Sequence, residues 1–246
     1  MKIEILKEMK RNRETLKPSW KRLREEKTPR SLGIPRPQLF KKYEGADTIK
    51  LLEVFPNIKQ KTLHEVISSR RSLRAYKNIA LTLEELSYLL YETSRVQRYQ
   101  DNAVFRTIPT GGATNSLETY IYANNIDGVK QGLYHYTQHE HTLSLLVDGN
   151  LKDEVNQALS GQLRKAPVAF FFTCVPERGE HKYTFTAHKM IAMEAGHAGQ
   201  NLHLASEVID CGAVMLAAYN QDDSDQLLKL DTNHEFTIYA ATLGKK

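Results

Sequence analysis

Cysteine is scarce in this chain of 246 residues: Cys174 and Cys211 are the only two. Two cysteines do not make a disulfide framework in a chain of this size. Cys174 lies in the apolar run AFFFTCV and Cys211 beside a glycine, so both read as buried free thiols. Neither has a cysteine or histidine neighbour at metal-ligand spacing. Long apolar runs are missing too, which excludes a membrane-spanning helix. The N-terminus lacks the apolar stretch of a secretory signal. These absences predict a soluble, cytoplasmic protein. Residues 1–42 hold 14 lysines and arginines against 5 glutamates, a net of +9, while the remainder nets −4. The basic character therefore belongs to an N-terminal arm. Trp20 is the only aromatic before Phe40, so the arm has no stacking surface for bases, and a solvated helix is the expectation over nucleic-acid binding. Also missing are a Gly-Lys-Ser/Thr phosphate loop, the Gly-x-Gly-x-x-Gly dinucleotide fingerprint and a Gly-x-Ser-x-Gly elbow. Those absences leave nucleotide-triphosphate, Rossmann and serine-hydrolase chemistry unsupported.

What is present reads as one α+β domain with a mainly antiparallel sheet behind a helical arm at 1–33. TPRSLGIPRP ends the arm, and Pro35, Pro37 and Pro56 punctuate extended wrapping segments from Gly33 to Gln60. KTLHEVISS predicts a helix over 61–69. Thr82 and Glu85 form a capping box for the next helix, with Leu81 and Leu86 placed as a hydrophobic staple. ETYIYAN, GLYHYTQ and TLSLLV read as meander strands, with His139-Glu140-His141 as a solvated turn. A helix at 151–159, a buried strand at 168–175, a long helix at 187–211, a strand at 214–219, a helix at 224–230 and a strand at 236–243 complete the expectation.

Three stretches carry candidate chemistry. In SSRRSLRAYK, Arg70, Ser72 and Arg74 project from one face if the chain is extended after Ser69. Two guanidiniums and a hydroxyl suit a phosphate monoester, whereas arginines that complement a helix C-terminus are the plainer reading. In FRTIPTGGATNSL, adjacent glycines let backbone approach a flat ligand, or simply form a wide turn. In EAGHAGQN, Glu194 and His197 are spaced as half of a di-iron site, but no second Glu-x-x-His exists. A buried polar group at a helix crossing is the better reading. His139 and His141 have no third ligand to make a zinc site.

In this order, RRSLRAY, PTGGATNSLETYIYA, GLYHYTQHEHTLSLL, EAGHAGQNLHLASEVIDCG and a last strand ending in LGKK resemble the nitroreductase superfamily, and within it the SagB-type dehydrogenases with their azoline oxidases. The resemblance runs from about Gly33 to Gly244. It implies a nitroreductase-like domain at 34–246 and a homodimer with FMN at its interface. Arg70 and Ser72 would grip the phosphate and ribityl chain, with Arg71 beside them and Arg74 at the pyrimidine edge, where a cation stabilises charge on the reduced ring. Thr110, Gly111, Gly112, Ala113 and Asn115 would lie against the isoalloxazine from the other subunit. Ala217 and Ala218 match the small-residue turn at flavin N5, through which hydride passes. Lys245 or Lys246 would complete the phosphate site. Lys182 and Tyr183 match the Lys-Tyr pair that removes a proton in the azoline oxidases. TFTAHKM follows that pair where the family has Gly and Arg/Tyr-Arg, and Ser116 stands where a proline is common. Alternative functions are an NAD(P)H-dependent reductase of nitro compounds or quinones, and a flavin-free binding subunit of a modification complex.

Overall fold

A computed structural model describes every residue except Met1, Pro18, Ser19 and Asn102, with Lys2 and Ile3 as backbone alone. The arm comprises α1 (Lys2–Arg13), a 3-10 turn at Glu14–Leu16 and α2 (Trp20–Glu25). After the wrapping segment with its short strand β1 (Thr48–Lys50) come α3 (Leu63–Ser69) and α4 (Leu83–Ser94). The hairpin β2 (Val96–Gln100) and β3 (Ala103–Arg106) precedes the meander β4 (Leu117–Ala123), β5 (Gly132–Thr137) and β6 (Thr142–Asp148). Next are α5 (Lys152–Ala158), β7 (Val168–Cys174), α6 (Pro176–Tyr183) and α7 (Ala187–Val208). Strand β8 (Cys211–Leu216), α8 (Gln221–Leu227) and β9 (Phe236–Lys245) close the chain.

Seven strands form one sheet in the order β1-β6-β5-β4-β7-β9-β8, each neighbouring pair antiparallel. Side-chain alternation sends Phe170 and Phe172 of β7 to one face and Ala169 and Phe171 to the other. The first face packs on α4 and α7 through Leu86, Leu89, Ala195, Ala198 and Leu202, the second on α5 through Val155 and Ala158. The mainly antiparallel α+β expectation is met, with helices on both faces.

Thr82 and Glu85 exchange both bonds of the capping box, and Leu81 and Leu86 are fully buried in one core cluster. Thr62 and Glu65 form a second capping box, on α3, that the sequence reading did not single out. The long helix was expected to reach Cys211, but α7 ends at Val208, because Cys211 already pairs with Lys245 as the first residue of β8. The strand expected at 214–219 accordingly runs over Cys211–Leu216 and the helix expected at 224–230 over Gln221–Leu227, capped by the Asn220 side chain. His141 is not solvated. It is buried, with Nδ1 2.7 Å from Tyr136 Oη and Nε2 2.8 Å from Leu52 O, so the wrapping segment covers it. Among the described residues no group of acids, histidines and cysteines is arranged to hold a metal, and no helix is long and apolar enough to cross a membrane.

Candidate functional site

The capping residue of α3 decides where the arginine stretch goes. Arg70 bonds its N–H to Val66 O and turns to φ −52°, ψ 125°, which ends the helix and starts an extended strand. Leu73 N donates to Ala213 O and Lys77 N to Lys245 O, each at 3.0 Å. Lys245 lies opposite Cys211, so the stretch runs antiparallel to β8, the edge strand of the sheet. Close approach is possible because Gly212 has no side chain: a Cβ there would stand 2.6 Å from Leu73 Cβ. Tyr76 pins the stretch from the other side, its Oη 2.9 Å from both Leu73 O and Thr242 O. Burial pushes the Tyr76 phenol up to about 12.

Arg70, Ser72 and Arg74 therefore stand at alternate positions of an extended chain. Their cationic groups have no carboxylate partner among the described residues. Arg71 bonds the carbonyls of Ser68 and Arg70, and Arg74 approaches Ser72 O at 3.4 Å. A buried acid of α7, Glu207, is occupied by Ser69 Oγ at 2.8 Å and Lys246 Nζ at 2.5 Å. Burial, then the Arg70 charge, lowers the His203 pKa against the pull of Glu207. Ala217 and Ala218 follow β8 and are exposed. Ala218 O accepts from Gln162 Nε2 at 2.7 Å. The two terminal lysines part, as alternation requires. Lys246 reaches Glu207 beside Ser69, whereas Lys245, expected at the phosphate, turns to Glu85 at the start of α4.

The glycine loop is a second centre. Gly111–Ala113 form a 3-10 turn, with left-handed φ of 61° at Gly112, 55° at Ala113 and 53° at Asn115. The motif EAGHAGQN holds it. Glu194 accepts from Thr110 Oγ1 at 2.9 Å and from Ser116 N at 3.4 Å, His197 Nδ1 lies 3.2 Å from Pro109 O, and Asn201 Nδ2 donates to Thr93 O and Thr107 O at 3.3 Å. Spacings of three and seven place these three on one face of α7, so the motif is a clamp on the loop. That role was missed, although its spacing was visible. Burial raises the Glu194 pKa against the opposing pull of Arg106 and of its hydrogen-bond donors.

Lys182 and Tyr183 meet this loop from the end of α6, a helix that the sequence reading did not anticipate. Lys182 Nζ is 3.3 Å from Gly112 O, and a Cβ on Gly112 would stand 2.0 Å from Tyr183 Oη. The arm closes over them. Trp20 packs edge-on to Tyr183 at 5.9 Å between centroids, Arg22 lies 4.2 Å over the Phe185 ring, Arg30 N donates to His181 O at 2.9 Å, and Arg36 donates to Ala113 O at 2.8 Å. The structure thus brings Thr110–Asn115 together with Lys182 and Tyr183, and separately the Arg70–Arg74 stretch with β8 through Leu73 and, by way of Ser69 and Glu207, with Lys246. Helix α7 stands between the two groups. Glu194 and His203 are nine residues apart, which is half a turn out of phase and about 14 Å along the axis.

The Nitroreductase family model matches residues 67–245. The Methanocaldococcus jannaschii protein MJ1384, which carries a nitroreductase name, is 30% identical over 193 residues, covering 78% of this chain and 94% of its own length. A solved nitroreductase structure from Anabaena variabilis has 26% identity and a TM-score of 0.70, covering 84% of this chain and 43% of that one. The Escherichia coli microcin synthetase complex McbBCD with truncated pro-MccB17 bound matches at TM-score 0.61 and 19% identity, over 80% of this chain and 78% of that one. A nitroreductase of Desulfovibrio desulfuricans in complex with FMN matches at TM-score 0.51 and 17% identity, over 76% and 87%. The last two show likeness of fold.

Proposed function

Because the chain belongs to the nitroreductase family, we propose that it is an FMN-dependent oxidoreductase whose flavin sites are each completed by a second copy of the chain. The observation that carries this reading is the extended Arg70-Ser72-Arg74 stretch beside edge strand β8, cationic and without a carboxylate partner among the described residues. A phosphate monoester fits such a donor set. Arg70 and Ser72 would hold the phosphate and ribityl chain, and Arg74 would supply positive charge near the ring. FMN, when bound, supplies a two-electron acceptor. The chain's own residues then orient the substrate and move its proton. Gly112 and its neighbours give a flat approach surface, and Glu194, His197 and Asn201 keep it in place. Lys182 Nζ and Tyr183 Oη are the groups beside that surface able to take a proton. Half a turn of phase and about 14 Å along α7 separate loop from arginines in one chain, which supports a loop donated to the partner's arginines.

The finer reading is a SagB-type dehydrogenase acting on azoline rings or a related heteroatom substrate, supported by the placement of Lys182-Tyr183 on the loop. The alternative, a reductase using NAD(P)H, is favoured by the nitroreductase name of MJ1384. An absorbance spectrum of the purified protein, with the chromophore identified by mass, tests the class. Flavin bands and FMN are expected; a colourless protein that takes up no added FMN would overturn it. Oxidation of an azoline peptide without NAD(P)H consumption separates the finer reading from the alternative.

A further inference from the structure

Every described side chain from Glu4 to Lys17 is exposed, so α1 and the 3-10 turn after it bury no side chain against the rest of the chain. Their surface is not uniformly polar. Residues 4–34 hold seven of the fourteen large hydrophobic side chains that the described residues expose, among them Ile5, Leu6 and Met9. Successive helix residues turn by about 100°. Ile5, Leu6 and Met9 therefore share an arc of about 100°, with Lys10 at its edge and Arg13 continuing it one turn on. Glu4, Lys7, Glu8 and Arg11 take the other side, where Arg11 meets Glu8 at 3.6 Å. Lys10 and Arg13 have no carboxylate partner among the described residues. The helix thus turns apolar groups and unmatched cations one way and its acids the other. Positive charge gathers in the same region, since residues 1–42 net +9 and the remainder −4. The arm also lies outside residues 67–245, the part that the family model matches.

Cations beside an apolar stripe complement a surface that is anionic outside and apolar just beneath, which describes an anionic lipid leaflet. A nucleic-acid backbone would use the cations and leave the stripe in water. A protein partner fits less well. Six of the eleven basic residues at 1–33 are lysine, which protein interfaces deplete. At a lipid interface a lysine buries its stem and keeps its ammonium in water. We propose that α1 is a surface anchor for anionic lipid. The helix, about 18 Å long, lies in the plane of the leaflet with Ile5, Leu6 and Met9 sunk about 5–10 Å and with Lys10 and Arg13 at the headgroups. The same headgroups repel the net-negative body, so the arm carries the attachment and binding is reversible. The anchor does not depend on the flavin.

Flotation of the full chain with vesicles tests this, using phosphatidylcholine alone and an equal mixture of phosphatidylcholine with phosphatidylglycerol. At about 0.01 M ionic strength, where charges act over about 30 Å, the mixed vesicles are expected to bind at least about tenfold more tightly. Raising the ionic strength to about 0.15 M should weaken that binding severalfold. Lys10→Glu/Arg13→Glu and Ile5→Ser/Met9→Ser should each lose about tenfold or more. All four side chains are exposed, so the fold should tolerate both variants. Lys130→Glu and Val54→Ser, exposed on the body, should change nothing. Equal binding to both vesicles, no binding to either, or binding that survives both arm variants overturns the proposal. Loss in the charge-reversed variant with none in the serine variant also overturns it, in favour of an acidic protein as the arm's partner. FMN content is measured on every sample. Flavin without vesicle binding sinks this inference alone, while vesicle binding by a protein that takes up no flavin sinks the FMN reading and leaves the anchor standing.

Discussion

Gly112→Ala tests the assembly of the site at its tightest point. The added Cβ would stand 2.0 Å from Tyr183 Oη, 2.8 Å from Lys182 Nζ and 2.9 Å from Tyr183 Cζ. Heavy atoms in contact prefer about 3.5–4.0 Å, so the tyrosine must retreat by about 1.5 Å or more. Gly112 also holds φ 61°, where an L-residue costs roughly 1–2 kcal/mol. That cost corresponds to a fall in Tm of about 2–8 °C for a chain of this length. A misplacement near 1 Å costs on the order of 100-fold in turnover. The single tryptophan, Trp20, lies against Tyr183 and reports its movement by fluorescence. Tm, turnover and Trp20 emission should therefore change together. In Gly112→Ala/Tyr183→Phe the missing hydroxyl relieves part of the overlap, so the double variant should be more stable than the sum of the two single effects. Unchanged emission and turnover in Gly112→Ala would refute the placement of Tyr183 on the loop, and strictly additive Tm changes would refute the contact.

Arg70→Ala should weaken FMN retention by about tenfold or more, from roughly 1.5–3 kcal/mol for a charge-assisted contact; gel filtration followed by flavin quantification reads it. Glu194 has a raised folded-state pKa. The stability this carboxyl contributes is present below its unfolded pKa, about 4.3, and is lost as pH rises through the folded value. Glu194→Gln, which stays neutral, should gain in Tm relative to the parent as pH rises from about 4.3, and a constant difference would contradict the assignment. Glu118 is the opposite case: burial alone would raise its pKa, but Arg178 at 2.6 Å, His135 at 3.0 Å and Arg106 hold it far below the usual carboxylate range. Its contribution is present above the unfolded pKa and lost as pH falls toward the folded one. Glu118→Gln should cost about 3–5 kcal/mol near neutrality, shrinking in acid, as urea titrations at several pH values would show.

Local signals were legible in the sequence and long-range ones were not. The Thr82-Glu85 box and the extended course of Arg70–Arg74 follow from capping and from side-chain alternation, and both stand as read. The end of α7 was misplaced because VIDCGAVML is apolar apart from Asp210, and a buried helix end and a buried strand share that pattern. PERGEHKY has no apolar period, so α6 was invisible except for Pro176 at its first turn. Nothing local in the exposed β2 marks the hairpin. His141 was read as solvated since its cover, Leu52 O, comes from 89 residues away. At the site, EAGHAGQN showed its one-sided spacing, but its target, the loop at 107–116, is a tertiary fact. The arm was read as solvated, and residues 4–17 are exposed, but Trp20 and Arg30 contact α6 and Arg22 the Phe185 ring just after it, while Arg36 beyond the arm reaches the loop.

Helix α7 sets the distance between the two halves of the proposed site, and that makes the shared-site reading testable without a ligand-bound structure. One face of α7 clamps the loop through Glu194, His197 and Asn201, while His203 and Glu207 abut Arg70 and Ser69 on another. A rigid helix cannot fold back on itself, so in a two-fold dimer each chain would give its arginines to one site and its loop to the other. Arg70→Ala damages only the first contribution and Gly112→Ala only the second. Co-expressed with different tags and purified as the mixed dimer, the two variants place both lesions in one site and leave the other intact. That dimer should recover about half of the parent activity per dimer, although each variant alone is impaired. If loop and arginines served one flavin within a single chain, every chain of the mixed dimer would carry a lesion, and no recovery would appear.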